Sequence, residues 1–348
     1  MKKFKPNKIF YPIAILYGLI IKIRNYLFDK NIFKENQFDL KVISVGNITV
    51  GGTGKSPMIE FLAKLLKSKN KKFAIISRGY KRESFGQVIV SNGEKILVEE
   101  NISGDEPMQI AKKFPCAIVI VDKNRSRAIE TAKYQYNCDI VLLDDAFQHR
   151  KVKRDCNIVL IDGTKLSSSL NLIPVGEGRE PLSSFKRSNA IIITKCESLK
   201  SKTMAIDLIR NYSKAPIFTT TENIVSFKSV TSNKTVNLSQ TKSKTAVVFC
   251  GIAKPEYFKE HLEQNGIAVL KFICFPDHHR FSLDDLNKII LSVKECNPKL
   301  LITTEKDFVR LNEEFLLKLK KERNFLYSNY EVKIKEEKSF LKFMDKYV

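Results

Sequence analysis

Gly46-Asn47-Ile48-Thr49-Val50-Gly51-Gly52-Thr53-Gly54-Lys55-Ser56-Pro57 is the stretch on which the reading of this chain turns. It follows a short apolar run, Val42–Val45, and precedes an amphipathic one, Met58–Lys69, so it joins a predicted strand to a predicted helix. Glycines let backbone N–H groups turn inward around phosphate oxygens. Lys55 supplies a point charge to the β- and γ-phosphates, and the Ser56 hydroxyl can ligate Mg²⁺. Thr49, Val50, Gly51, Gly52, Thr53, Gly54, Lys55 and Ser56 are therefore the candidate nucleotide-binding residues. Pro57 suits the first helical position. One departure is visible, because Thr49 stands where Gly or Ala is usual, five residues before Gly54. The plainer alternative is a Gly-rich turn with a chance lysine, and the order strand, loop, helix favours phosphate binding.

Outward from this loop, short apolar runs alternate with helix-like stretches, the pattern of a parallel sheet covered by helices. Strands are predicted at Val42–Val45, Phe73–Ser77, Gln87–Ser91, Ala117–Val121, Asp139–Leu143, Asn157–Ile161, Ala190–Thr194 and Ile217–Thr219, with helices at Met58–Lys69, Glu106–Phe114 and Arg125–Tyr136. The fold class is α/β, a P-loop NTPase-like parallel sheet flanked by helices, with a second, smaller α/β lobe joined by a β-rich linker. The expected divisions are a basic amphipathic helix in 1–30, a kinase-like core in 31–220, a linker in 221–244 and the smaller lobe in 245–348, whose last strand and helix are open to return to the core. The lobe carries predicted strands at Ala246–Cys250, Val269–Phe275 and Leu300–Thr303 and a helix from Leu283 to Glu295. The charge-dense stretch Lys333–Lys338 reads as a solvated face.

The 348 residues carry 60 Lys+Arg against 38 Asp+Glu, a formal net charge of +22, in a composition that excludes a small disulfide-stapled module, a collagen-like fibre and a disordered tail; the basic excess directs attention to anionic partners such as phosphate, nucleic acid or an acidic membrane surface. Most of this charge is lysine scattered singly, so local clusters must decide. A basic stripe interleaved with stacking aromatics is missing, which argues against nucleic acid. Seven cysteines without a C-x-x-C pair fit a reducing compartment and neither a disulfide framework nor a zinc site. At the N-terminus, Lys2, Lys3, Lys5 and Lys8 precede an apolar run from Ile9 to Ile21, broken by Pro12 and Gly18 and too short for the ~20 residues a membrane span needs. No small-x-small cleavage site follows, so a signal peptide is disfavoured. A buried first helix and an interfacial helix at an anionic headgroup layer both remain.

A phosphate loop needs carboxylates for its metal, and Ile140-Val141-Leu142-Leu143-Asp144-Asp145 offers two at a strand end, where open parallel sheets bind ligands. Capping or turn roles are the alternative for this pair. Thr194-Lys195-Cys196-Glu197 mimics a guanine-reading motif with Glu where Asp is usual, and it keeps a P-loop GTPase or regulatory ATPase in view. Gly104-Asp105-Glu106-Pro107 precedes a helix, and on spacing alone its carboxylates are N-terminal capping charge. Phe275-Pro276-Asp277-His278-His279-Arg280-Phe281 gathers two of the four histidines, and adjacent His make a poor metal pair.

Taken in order, these stretches resemble the tetraacyldisaccharide 4′-kinases, the lipid A 4′-kinases of Gram-negative bacteria. The resemblance is carried by Leu16-Tyr17-Gly18, Arg24-Asn25, the loop 46–57, Ser77-Arg78-Gly79-Tyr80, Gly104-Asp105-Glu106-Pro107 and Asp144-Asp145-Ala146-Phe147-Gln148-His149. Gly178-Arg179-Glu180-Pro181-Leu182, Asp277-His278 and Thr304-Glu305-Lys306-Asp307 complete it, so it spans nearly the whole chain. Ala146 replaces the usual Gly and Ser56 the usual Thr, and Ala146 then requires an ordinary backbone conformation. The resemblance implies transfer of the ATP γ-phosphate to the 4′-hydroxyl of an acylated glucosamine disaccharide 1-phosphate at the cytoplasmic face of the inner membrane. ATP and Mg²⁺ serve as cofactors, with an anionic membrane surface as partner and no obligate protein partner. By the same resemblance Asp105 is the candidate base, His278 its partner and Lys55 the catalytic cation. Ser56, Glu106, Asp144 and Asp145 fall on the metal side. Asn47, Arg78, Gln148, His149 and Arg179 are candidate substrate contacts, the arginines suiting phosphate because a guanidinium binds it in bidentate fashion. It also gives the N-terminal helix a purpose, since a substrate with four acyl chains stays in the bilayer.

Overall fold

Short runs of β-branched and aliphatic residues become strands buried on both faces, as parallel strands covered by helices must be. The computed structural model describes residues 8–80, 82–166, 170–195, 199–252, 254–277, 279–322 and 324–348. The chain divides into two compact units, Met1–Thr221 with Val332–Val348, and Glu222–Glu331.

The first unit runs α1 (Tyr11–Asp29), β1 (Lys41–Asn47), α2 (Lys55–Ser68), β2 (Phe73–Ser77), β3 (Val88–Asn92), α3 (Glu100–Ser103), α4 (Asp105–Lys113) and β4 (Ile118–Val121). It continues through α5 (Arg125–Glu130), β5 (Ile140–Asp144), β6 (Cys156–Asp162), β7 (Ala190–Thr194), α6 (Leu199–Arg210) and the start of β8 (Ile217–Ser229). Its strands lie in the order β8-β7-β6-β1-β5-β2-β4-β3 and are parallel except β3, which runs antiparallel to β4. Side chains alternate between the faces. Val42, Ala74, Ile120, Val141 and Leu143 pack on Ala128 and Ile129 of α5, whereas Val159, Ile161, Ile191 and Ile193 pack with Ala205 and Ile209 of α6. The strand order places β1 between β5 and β6: from β1 the chain moves to β2 on the β5 side, and later it crosses from β5 past β1 to β6 on the other. That is the switch point at which open α/β sheets bind ligands.

The second unit holds β9 (Thr235–Asn237), α7 (Leu238–Thr241), β10 (Thr245–Cys250), α8 (Pro255–Gln264), β11 (Ala268–Cys274), α9 (Leu283–Cys296), β12 (Leu300–Thr304), α10 (Glu305–Val309), α11 (Glu313–Glu322) and most of β13 (Asn324–Ile334). Strands β11, β10, β12 and β13 are parallel neighbours, and β9 is antiparallel to β8. Alternation along β10 sends Val247 and Phe249 to the α9 and α11 side, with Leu286, Ile289, Phe315 and Leu319. Val248 and Cys250 face Phe258 and Leu262 of α8. The polar stretch after Thr219 is thus the remainder of β8, then β9 and α7.

After β13 the chain re-enters the first unit and ends in α12 (Glu337–Met344). Phe340 is fully buried, its ring 5.8 Å from Phe61 and 5.0 Å from Phe218. The stretch Lys333–Lys338 is more than a solvated face. Ile334 is buried, and the Glu336 carboxylate accepts from Thr219 N at 2.8 Å and from its Oγ1 at 3.0 Å, fixing β8 where it begins.

Candidate active site

Two glycines make the turn after β1. Gly51 (φ +96°) and Gly54 (φ +84°) occupy the left-handed region that side chains avoid, and Gly54 is the N-cap of α2. Helix α2 starts at Lys55, so Pro57 is its third residue, still within the first turn where a missing N–H costs no helical bond. Buried Asn47 braces the loop from within, its Nδ2 donating to Thr53 Oγ1 at 2.7 Å. From outside, Val50 N donates to Glu177 O at 2.8 Å. Thr49, buried, pairs with Gly178 as an isolated bridge.

The parallel register that sets Val45 opposite Asp144 delivers the acid pair beside this loop. Asp145 takes φ +49°, while Ala146 keeps an ordinary backbone, so the left-handed turn falls one residue before the position where the resemblance expects Gly. The Lys55 ammonium lies 3.6 Å from Asp145 Oδ1. Arg179 grips the same carboxylate with both Nη atoms, at 3.1 and 2.8 Å, and its Nε donates to Thr49 O at 3.1 Å. Its Nη2 also donates to Asn47 Oδ1, so one guanidinium ties the loop, β1 and the acid pair together. Burial pushes the Asp145 carboxyl upward, but the Arg179 hydrogen bonds and the Lys55 charge outweigh it and hold it below its usual range.

Asp144 is the opposite case. Burial, with the Glu106 and Asp145 carboxylates beside it, pushes its pKa up to about 7. Its Oδ1 is buried and finds no hydrogen-bond partner among the described residues. Ser56 Oγ donates to Glu106 Oε1 at 3.4 Å, so hydroxyl and carboxylate already face each other. An all-oxygen set with an orphaned carboxylate oxygen suits a hard divalent cation. Among the described residues no three His, Cys, Asp or Glu groups form a ready metal cage.

One contribution escaped sequence reading. Buried Arg125, at the start of α5, donates to the Asp122 and Asp144 carbonyls, the latter at 3.3 Å, and burial lowers its pKa to about 10 against the opposing pull of Asp144 and Asp145. Only a cation packed beneath a strand end would have betrayed it, and nothing in NRSRA says so. Gln148 Nε2 donates to Asn47 O at 2.8 Å, a bracing contact to the loop. His149 is held neutral because burial, with Arg125, Arg154, Lys151 and Arg78 around it, pushes its pKa down to about 4. Arg78 is exposed just past β2. Asp105 and Glu106 open α4, and since Gly104 is the N-cap, Asp105 does not cap the helix with its own side chain. His278 lies outside the described residues, as do Cys196 and Glu197 of the guanine-like motif.

The profile of the family described as tetraacyldisaccharide-1-P 4′-kinase matches residues 6–348. The chain belongs to this family. Among curated relatives, the tetraacyldisaccharide 4′-kinase of Flavobacterium psychrophilum is 43% identical over 318 residues, 88% of each chain. That of Flavobacterium johnsoniae is 40% identical over 89% of each. A solved structure, LpxK from Aquifex aeolicus in complex with ATP, has a TM-score of 0.78 and 30% identity, covering 97% of this chain and 98% of its own. As a tetraacyldisaccharide-1-P 4′-kinase family member, the chain divides its motifs between chemistry and scaffold. In Arg179-Glu180, Arg179 enters the site, while Glu180 is fully buried beneath α1. There it accepts from Asn25 Nδ2 at 3.0 Å, from Ser184 Oγ at 2.7 Å and from Arg187. In the second unit, buried Asp307 accepts from Gly251 N at 3.0 Å and Thr304 Oγ1 at 2.6 Å. A side chain at Gly251 would meet Pro276 O at 3.0 Å, so the turn carrying Asp277 rests directly on it.

Proposed function

We propose that this kinase transfers the γ-phosphate of ATP to the 4′-hydroxyl of a tetraacyldisaccharide 1-phosphate, a step of lipid A synthesis. The observation that carries this reading is the β1–β5 register, which sets a glycine loop with its Lys55 beside Asp144 and Asp145 in a family of this activity. Phosphoryl transfer asks little covalent chemistry of the protein, so positioning and charge neutralisation dominate. Lys55 and Arg179, now paired with Asp145, are set to exchange that carboxylate for phosphate oxygens when nucleotide enters. Asp105 accepts the sugar hydroxyl proton. Arg78 and His149 contact the acceptor, His149 as a neutral donor or acceptor. Ser56, with Glu106, Asp144 and Asp145, would hold Mg²⁺, which when bound neutralises charge on the β- and γ-phosphates.

The acceptor is a lipid, and α1 supports docking at a membrane. Its inner face (Ala14, Gly18, Ile21, Asn25, Phe28) is buried, whereas Ile13, Leu16, Leu19, Ile20 and Ile23 project outward, an apolar face without cover in the first unit. Among the described residues no helix is long and apolar enough to cross a membrane, so the helix would lie in the interface, on the cytoplasmic face of the inner membrane. Transfer of labelled γ-phosphate from ATP to the disaccharide lipid tests the whole reading. Lys55→Ala and Asp105→Ala should each lose transfer while remaining folded. Full activity in Asp105→Ala removes it as the base, and consumption of GTP without glycolipid dependence removes the kinase reading.

A further inference from the structure

A planar trans peptide points its C=O and the following N–H in opposite directions. A loop that must aim amides inward at phosphate therefore aims the preceding carbonyls outward, and those carbonyls need holders. Two are present at the end of β7. The Lys195 ammonium donates to Gly52 O, and Thr194 Oγ1 donates to Thr53 O at 3.1 Å. Fixing Gly52 O turns the Thr53 N–H to the far side of its peptide, and fixing Thr53 O does the same for Gly54 N–H. Lys195 is itself secured: its side chain is 12% exposed, 3.5 Å from the Asp162 carboxylate, which is 2% exposed at the end of β6. Its backbone sits at φ +56°, a conformation costly for a residue other than glycine and typical of sites that function holds in place.

We infer that Lys195 is a positioning residue for the phosphate loop, which it grips from behind so that the Thr53 and Gly54 amides face the nucleotide. The lysine of the guanine-like stretch 194–197 thus serves phosphate geometry and needs no guanine. The inference rests on the ATP reading of the loop given above. It differs from a base-contacting role in what it predicts for a ligand that has no base.

The test measures binding of ATP, ADP and inorganic tripolyphosphate to the full chain, with steady-state kinetics and thermal midpoints, for the wild type, Lys195→Met, Lys195→Arg and Thr194→Val. Loss of a charged hydrogen bond to the loop should weaken all three ligands by a common factor of about tenfold in Lys195→Met. The KM for ATP should rise by the same factor with the KM for the lipid unchanged; the apo thermal midpoint should fall, because Asp162 loses its buried ion partner, so the unchanged lipid KM is the readout that a merely damaged fold would not give. Lys195→Arg should recover much of the loss, because a guanidinium can also donate to the carbonyl, and Thr194→Val should show a smaller loss of the same pattern. Unchanged affinities in Lys195→Met overturn the inference, whatever Thr194→Val shows. So does weakening confined to ATP and ADP with tripolyphosphate spared, which would mean contact with the nucleoside. A wild type that binds none of the three sinks the nucleotide reading itself, whereas a wild type that binds beside an unaffected Lys195→Met sinks only the assignment to Lys195.

Discussion

Asp145 holds an unfavourable backbone (φ +49°) and a carboxylate gripped at once by Lys55 and Arg179. The Arg179 fork makes contacts no single ammonium can reproduce, with two oxygens of Asp145, one backbone carbonyl and the Asn47 amide. Arg179→Lys should therefore lower kcat on the order of a hundredfold with the thermal midpoint little changed. Steady-state kinetics at saturating ATP check this, and a loss of about threefold or less would exclude Arg179 from transition-state stabilisation. His149 gives a pH prediction. Its pKa in the fold, about 4, lies below its unfolded value, so the stability it contributes is complete above the unfolded value and is lost as pH falls through the folded one. Thermal midpoints measured from pH 7 to 4 should fall less steeply for His149→Gln than for the wild type. Activity should show no limb from this group near neutrality. An equal slope in the two proteins would contradict the neutral assignment.

At the scale of elements, the sequence made the phosphate loop, the acid pair and most of the first unit's strands legible, because each depends on a local pattern of apolar runs, glycines and strand-end carboxylates. What it hid depends on partners distant in the chain. Glu180 reads as part of a substrate motif yet lies under α1, because only the fold brings Asn25 and Arg187 to it. Arg125 sits in an unremarkable run until α5 packs it behind Asp144. Lys195 shares a stretch with apparent guanine recognition and is occupied with Gly52. Helix α1 reads from the sequence as either buried or interfacial, and the fold gives it one buried face and one exposed apolar face. Glu180 and Arg150 bind its polar inner residues, leaving Leu16 (59% exposed) and Ile20 (56% exposed) outward. Leu16→Asp with Ile20→Asp should abolish sedimentation with anionic vesicles while leaving ATP affinity intact, as a vesicle spin-down with parallel nucleotide titration would register. Retained vesicle binding in the double variant would refute the interfacial role.

For the molecule as a whole, the first unit is assembled from two stretches of chain separated by the second unit. The returning stretch seals the core through Phe340, against Phe61 and Phe218, and through the Glu336 clasp on Thr219. A chain truncated after Glu331 should lower the thermal midpoint sharply and bind ATP weakly, because losing a buried phenylalanine alone costs about 3–5 kcal/mol. Calorimetry of the truncated and full chains decides it, and an unchanged transition would show that α12 is dispensable. The returning stretch also bears on how the protein is made. While the second unit is being synthesised, the first unit holds the nucleotide loop and the acid pair around an unsealed core, since the Phe61 and Phe218 rings wait for Phe340, which follows the second unit in the chain. The first unit can therefore close only after the second has been made, and in that interval its aromatic core is open to non-native contacts.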